Sequence, residues 1–184
     1  MTEGPWKPTR AQLSAAYDKR IPDVTAPDLD VLFCGINPGL YSGAVGHHFA
    51  RPGNRFWPAL HLSGFTPRQL SPFEDRALLD YSMGVVNLVN RTTARADELS
   101  RDEIEAGAVA LERKVQRLRP RVVALLGIGI YRLGWKKKAE VGPQDQMIGE
   151  TKVWLLPNPS GLNAHYQLDA LVVEFKGLRT SARR

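Results

Sequence analysis

Cysteine is nearly absent from this 184-residue chain. The single Cys34 excludes an internal disulfide and fits a reducing compartment. Set within an apolar run, it reads as small core filler rather than a nucleophile. No apolar stretch approaches the roughly 20 residues of a membrane span. The start, Met1-Thr2-Glu3-Gly4-Pro5-Trp6, lacks the basic-then-apolar pattern of a secretory signal, so a cytoplasmic location is expected. Internal repeats, low-complexity tracts and composition breaks are missing too. Their absence predicts one domain over 1–184, with 1–28 as an N-terminal wrap and the basic tail 179–184 frayed. There is no Gly-Lys-Ser/Thr, which excludes a Walker loop, and no glycine spacing of a dinucleotide site.

What is present is ordinary in bulk, with 43% hydrophobic and 24% charged residues. The net charge of +6 favours an acidic partner such as nucleic acid. The positive residues are scattered, and are dense only at Lys136-Lys137-Lys138 and in the tail Arg179 to Arg184. The lysine run reads as a solvated loop.

Four strands are expected: Asp30–Cys34, Gly84–Val89, Arg121–Leu126 and Lys152–Leu156. All but the second are near-continuous apolar runs, the signature of parallel strands covered on both faces. Helical spacing separates them. In 101–118, Ile104, Ala108, Leu111, Val115 and Leu118 recur at three- and four-residue steps, Ser100 and Glu103 form a capping box, and Pro120 ends the helix. Further helices are predicted over 10–18, Asn54–Leu62, Phe73–Tyr81 and Ile128–Trp135, and from Leu168 through Leu178. Strands alternating with helices imply an α/β fold: a three-layer α/β/α sandwich around a mostly parallel sheet of four to five strands.

Two of these strands discharge an Asn-Pro turn at their carboxyl ends, Gly35-Ile36-Asn37-Pro38-Gly39 and Asn158-Pro159-Ser160-Gly161-Leu162. In open α/β sheets ligands bind at that edge. The first loop, 37–57, is long for a strand-to-helix connection and rich in glycine, so backbone can approach a ligand closely. In the second, Leu162 behind Gly161 is an apolar tip of the kind that enters a DNA stack, or it packs on the following helix.

These turns, with Phe49-Ala50-Arg51-Pro52-Gly53-Asn54-Arg55-Phe56-Trp57 between them, resemble the mismatch-specific uracil-DNA glycosylases and thymine-DNA glycosylases of the uracil-DNA glycosylase superfamily. The likeness extends through Leu79-Asp80-Tyr81 and Leu88-Val89-Asn90-Arg91-Thr92-Thr93, most of residues 30–165. It implies a single glycosylase domain that hydrolyses an N-glycosidic bond in double-stranded DNA bearing uracil or a damaged pyrimidine, as a monomer, with neither metal nor organic cofactor. It further implies that Asn37 holds the attacking water and that Phe49 stacks on the flipped base. The amides of Ile36 and Phe49 would read the base, and Asn158 would lie beside it as it leaves. Ser160 would touch phosphate, and Gly161-Leu162 would fill the vacated stack.

Asn37 cannot accept a proton, so it can orient water but not activate it. General-base assistance is worth about 10²–10⁴-fold, and slow turnover follows from its lack. In the faster branch of the superfamily the position of Asn37 is an aspartate and that of Asn158 a histidine. Asp97, in the loop after the second strand, is the acid positioned to compensate; otherwise it is a solvated carboxylate at a helix start. Bacterial relatives carry an arginine where this chain has Ala164, which relaxes the expected preference for the opposite base. Asn163 either supplies a polar contact there or caps a helix. His47 and His48 replace an apolar-proline pair of a relative. They lack partners at metal-ligand spacing, so no metal is assigned. The missing carboxylate and arginine also fit an alternative, a non-catalytic module that binds damaged DNA. A small-ligand α/β protein is a third reading.

Overall fold

The computed structural model describes residues 6–182. The first five residues of the expected wrap, and Arg183 and Arg184 of the tail, lie outside the described residues. Five strands form one sheet: β1 (Val31–Gly35), β2 (Met83–Asn87), β3 (Val122–Leu126), β4 (Gly142–Ile148) and β5 (Thr151–Leu156). Their order across the sheet is β2-β1-β3-β5-β4, all parallel except β4. The helices are α1 (Arg10–Ser14), α2 (Leu40–Val45), α3 (Phe56–Leu62), α4 (Arg101–Leu118), α5 (Ile128–Trp135) and α6 (Leu168–Ala182), with a 3₁₀ stretch over Pro72–Tyr81.

Alternation along β1 makes the layers. Val31 and Phe33 face a core shared with Phe56, Leu60, Leu171 and Phe175 of α3 and α6. Leu32 and Cys34 face the opposite core, with Ile104, Leu111 and Val115 of α4 and Ile130 of α5. Every residue of β1, β2 and β3 is buried, as parallel strands covered on both faces must be. Cys34 is packing material: burial pushes its thiol far up, out of the range in which it ionises.

The structure departs from the sequence reading at identifiable places. β4 has no apolar run; its burial alternates, and it pairs antiparallel with β5 at the sheet edge. An edge strand needs only one dry face and tolerates Pro143, so its sequence is polar. The long first loop contains α2, opened by Gly39 and closed by Gly46 in the left-handed conformation. The helix predicted over 10–18 is only α1, and α3 starts at Phe56 rather than Asn54. β2 ends at Asn87, not Val89, so Leu88–Thr93 are released into the loop. The tail does not fray where it is described, since Arg179–Ala182 continue α6 with Ala182 buried.

The N-terminal segment lies along β2 and this released loop. Val24 and Val85 exchange backbone hydrogen bonds, Asp18 N–H donates to Thr92 O, and the Asn90 amide bonds Ile21 N–H and C=O. No helix among the described residues is long and apolar enough to cross a membrane.

Candidate active site

The carboxyl ends of β1 and β2 are in register, Gly35 beside Asn87. Beyond them the two chains continue side by side. Leu88 N–H donates to Gly35 O, Val89 N–H to Ile36 O, and Thr93 N–H to Pro38 O. This pairing brings Asn37 onto the β2 loop. Its Nδ2 donates to Arg91 O and to Thr93 Oγ1, both at 2.8 Å. A carbonyl only accepts, so the amide nitrogen must face Arg91. Thr93 spends its own proton on Arg95 O at 2.7 Å, leaving a lone pair for Asn37. Asn37 is thus held in one orientation, with Oδ1 as its uncommitted atom.

Arg91 is braced in turn. Its guanidinium forks onto Glu103, with Nε at 2.7 Å and Nη2 at 3.1 Å, and reaches Asp18 at 2.9 Å. Glu103 also caps α4 through Ser100 N–H, so the helix start and the Asn37 anchor are one network. The paired guanidinium holds the Glu103 carboxyl down at about 2, well below the usual carboxylate range.

Asn37 lines a cavity of about 430 Å³ with Ile36, Phe49, Asn87, Asn158 and Leu162, and with Asp97 at its rim. A larger cavity of about 570 Å³ lies at the opposite edge, by Val122 and Thr151, where parallel strands begin. The smaller one sits where α/β sheets bind ligands, and it gathers Ile36, Asn37, Phe49, Asp97, Asn158, Ser160 and Leu162, while Gly161 and Asn163 do not line it.

Phe49 is the strained member. Its φ of 52° is left-handed, which costs a non-glycine residue about 1–2 kcal/mol. Its neighbours hold it there: His48 N–H donates to Asp75 Oδ2 and Ala50 N–H to Ser42 Oγ. The Phe49 N–H between them donates to none of the described residues. Phe56 packs 4.2 Å from the Phe49 ring on the core side. Glycine at 35 is required beside it, because a Cβ there would stand 2.9 Å from Asn87 Oδ1 and 3.3 Å from the Phe49 ring.

Asn87 and His48 were not singled out as base contacts by the sequence. Asn87 is buried at the end of β2, and His48 is 2% exposed. His48 Nε2 lies 2.8 Å from Pro22 O, which can only accept, so Nε2 carries the proton and Nδ1 accepts from Asn87 Nδ2 at 3.4 Å. Burial pushes the His48 pKa below its ordinary value, which favours this neutral ring. The amide of Asn87 therefore has its nitrogen toward His48, with Oδ1 beside Gly35. The one signal in the sequence was a polar residue inside the expected strand Gly84–Val89.

The second loop is built on Arg55. Its N–H donates to Pro159 O, and its guanidinium donates to the carbonyls of Ser160, Gly161, Asn163 and Tyr166 and to Gln167 Oε1, at 2.9–3.3 Å. The loops touch at their glycines, since a Cβ on Gly161 would lie 2.6 Å from Gly53 O. Asn158 Oδ1 accepts from Ser160 N–H and Asn163 Nδ2 donates to Asn158 O, which leaves the Asn158 amide nitrogen as a donor. Ser160 Oγ accepts from Leu162 N–H at 3.3 Å. Asn163 Oδ1 accepts from His165 N–H, so this side chain braces the turn at both ends. Leu162 does not pack on α6: it is 75% exposed, more than any other large hydrophobic residue described.

Asp97 is also at the rim, but exposed and ion-paired with Arg95. His47 lies on the far side of the loop, with Nδ1 3.1 Å from Asp75 Oδ2, rather than at the cavity mouth.

The site can therefore hold a planar polar ring on Phe49, present it with fixed amide groups, and fix a water on an amide oxygen. A family model for the Uracil DNA glycosylase superfamily matches residues 22–176, from the segment that bonds His48 through most of α6. On that match across most of its length, the chain belongs to the uracil-DNA glycosylase superfamily, a superfamily of DNA glycosylases.

Proposed function

We propose that this protein is a monofunctional, mismatch-directed glycosylase that removes uracil from double-stranded DNA, preferentially opposite guanine, and leaves an abasic site. The observation that carries this reading is the anchored amide of Asn37. Two acceptors take its nitrogen, so its oxygen is left to orient water without basicity. Catalysis then rests on electrostatic stabilisation of a leaving group that carries charge well, which spares the poorer leaving groups of normal DNA.

The extruded base would stack on Phe49, with Phe49 N–H and the free amide nitrogen of Asn158 as donors to its carbonyl oxygens. Asn87 offers Oδ1 and its second N–H to one base edge. An acceptor and a donor side by side match the N3–H and O4 of uracil. Cytosine presents the reverse, and turning the amide to suit it would set Oδ1 against the lone pair of His48 Nδ1. Leu162, exposed on a loop that Arg55 ties down, would enter the stack in place of the base. Ser160 and Asn163 stabilise that loop first, and contact the strand from it. Asp97, paired to Arg95 in solvent, takes no step in this scheme.

Excess enzyme incubated with a G·U duplex, followed by hot alkali, should break the strand at the uracil. Asn37→Ala should bind the duplex as well as the parent and release uracil at least 100-fold more slowly. Tight binding with no alkali-labile product from the parent protein would favour a damage-binding module instead. Full single-turnover activity in Asn37→Ala would remove the water-holding role.

A further inference from the structure

The lysine run reads as a solvated loop in the sequence, and the fold gives it a location. Lys136, Lys137 and Lys138 follow α5, are all exposed, and line one cleft with Arg132 and with Arg101, the first residue of α4. α4 spans 18 residues, about 27 Å at 1.5 Å per residue, and runs from the cavity edge of the sheet toward the start of β3. Arg101 therefore stands at the cavity edge. Asp97 lines the base cavity and Arg101 lines the basic cleft. They are four positions apart in the chain, so their backbones are at most about 14 Å apart.

From this placement we propose that the Arg101/Lys136–Lys138 cleft is a second contact for duplex DNA. It would hold backbone phosphates roughly two to four nucleotides from the extruded base, at 3.4 Å of helix axis per phosphate of one strand. This rests on the DNA-glycosylase reading of the adjoining cavity.

The charges in the cleft are arranged for this. Glu105 lies 3.7 Å from Arg101 and 3.2 Å from Lys136, and one carboxylate shared between two cations leaves positive charge over. Arg132 donates to Ala139 O, which shapes the loop. Lys137 donates to Gln146 Oε1, a neutral partner that Tyr131 also bonds. Lys138 has no hydrogen-bond or ion-pair partner among the described residues. Glu140 is the one carboxylate lining the cleft itself. Exposed Arg95 lines the base cavity rather than the cleft and is neutralised there by Asp97, so the cleft's own cations carry the contact. Lysines on a flexible stem suit phosphate as point charges and carry no base preference, so the cleft would add affinity without adding selectivity.

The test is the salt dependence of binding by the full chain to undamaged and G·U duplexes of about three helical turns, followed by fluorescence anisotropy. Each phosphate that a cation neutralises adds about 0.9 to the slope of log affinity against log salt. Lys137→Gln/Lys138→Gln should lower the slope by about 1.8 on both duplexes. Affinity at 0.1 M salt should fall about eightfold for each phosphate no longer neutralised. Single-turnover uracil release at saturating enzyme should stay within twofold of the parent. Arg101→Gln, at a position outside the lysine loop, should lower the slope by about 0.9 and guards against a misfolded loop.

An unchanged slope in both variants would overturn the cleft while leaving the glycosylase reading intact. So would a loss confined to binding of polyglutamate, which would assign the patch to an acidic protein. If the parent itself showed no salt-dependent duplex binding, the function proposed above would fail together with this one.

Discussion

Replacing Asn37 with aspartate puts the acid of the faster branch into this site, and the network around it predicts that the change does not yield a fast enzyme. The amide nitrogen of Asn37 donates to two acceptors at 2.8 Å, and one of them, Arg91 O, can never donate in return. In Asn37→Asp, an ionised carboxylate would lose both bonds and set an oxygen against that carbonyl. Thr93 could turn its hydroxyl toward the new carboxylate only by releasing Arg95 O. Two lost hydrogen bonds at about 1 kcal/mol each, in a half-buried site, give about 2 kcal/mol against the ionised form.

The protonated acid can still donate to Arg91 O, so folding raises the pKa of the introduced carboxyl. A raised carboxyl pKa leaves stability intact at acid pH and removes it as pH rises through the carboxylate range. Near pH 4 the protonated acid keeps one of the two bonds, so the melting temperature of Asn37→Asp should lie only about 2–4 °C below the parent. At pH 7 it should fall by about 4–8 °C, at 2–4 °C per kcal/mol for a chain of this size. Activity follows from the same conflict: the ionised carboxylate swings off the water position, and the protonated one is no base. Single-turnover release of uracil at pH 7 should therefore gain less than tenfold, far short of the 10²–10⁴ that a well-placed base supplies. A gain of tenfold or more with an unchanged melting temperature would refute the anchored-amide argument.

Other outcomes test the neighbouring parts. Leu162→Ala should slow release from duplex DNA by roughly 30-fold, the worth of about 2 kcal/mol of buried leucine, and barely change release from single strands; equal losses in both would remove the wedge role. Arg55→Ala should destabilise the fold by about 2 kcal/mol, and Arg55→Lys should recover little, because a point charge cannot fork among several carbonyls; the check is thermal melting beside the duplex-to-single-strand activity ratio. Burial lowers the His48 pKa, so its neutral ring stabilises the fold above its ordinary value of 6.5, and that contribution is lost as pH falls below it. Uracil release should decline only at lower pH than the onset of this stability loss, since the folded ring stays able to accept from Asn87 until its lowered pKa is reached, while His48→Phe should flatten the acid side of the melting-temperature profile.

Much of the fold was legible because it depends on local pattern. Parallel strands buried on both faces must be continuous apolar runs, and α4 shows its period, capping box and stop within a single stretch of chain. β4 was invisible for the same reason, since an edge strand with one dry face carries no such run. The basic tail looked frayed from its charge, yet Arg179–Ala182 form helix because α6 packs its Leu178 and Ala182 into the core.

The two Asn-Pro turns at strand ends pointed by themselves to one sheet edge as the place for a ligand, and their resemblance, with the run through Phe49, to the uracil-DNA glycosylases supplied the expected chemistry. They also determined that Asn37 lacks basicity, since that follows from the residue type alone. Only the tertiary structure decided how Asn37 is oriented, because its two partners are more than fifty residues away and meet it through the pairing of two loops. It likewise joined Arg55 to the second loop, His48 to Asn87, and the lysine run to the cavity edge. Each of these depends on where a side chain's donors and acceptors point once distant segments are packed together, and linear order carries no record of that direction.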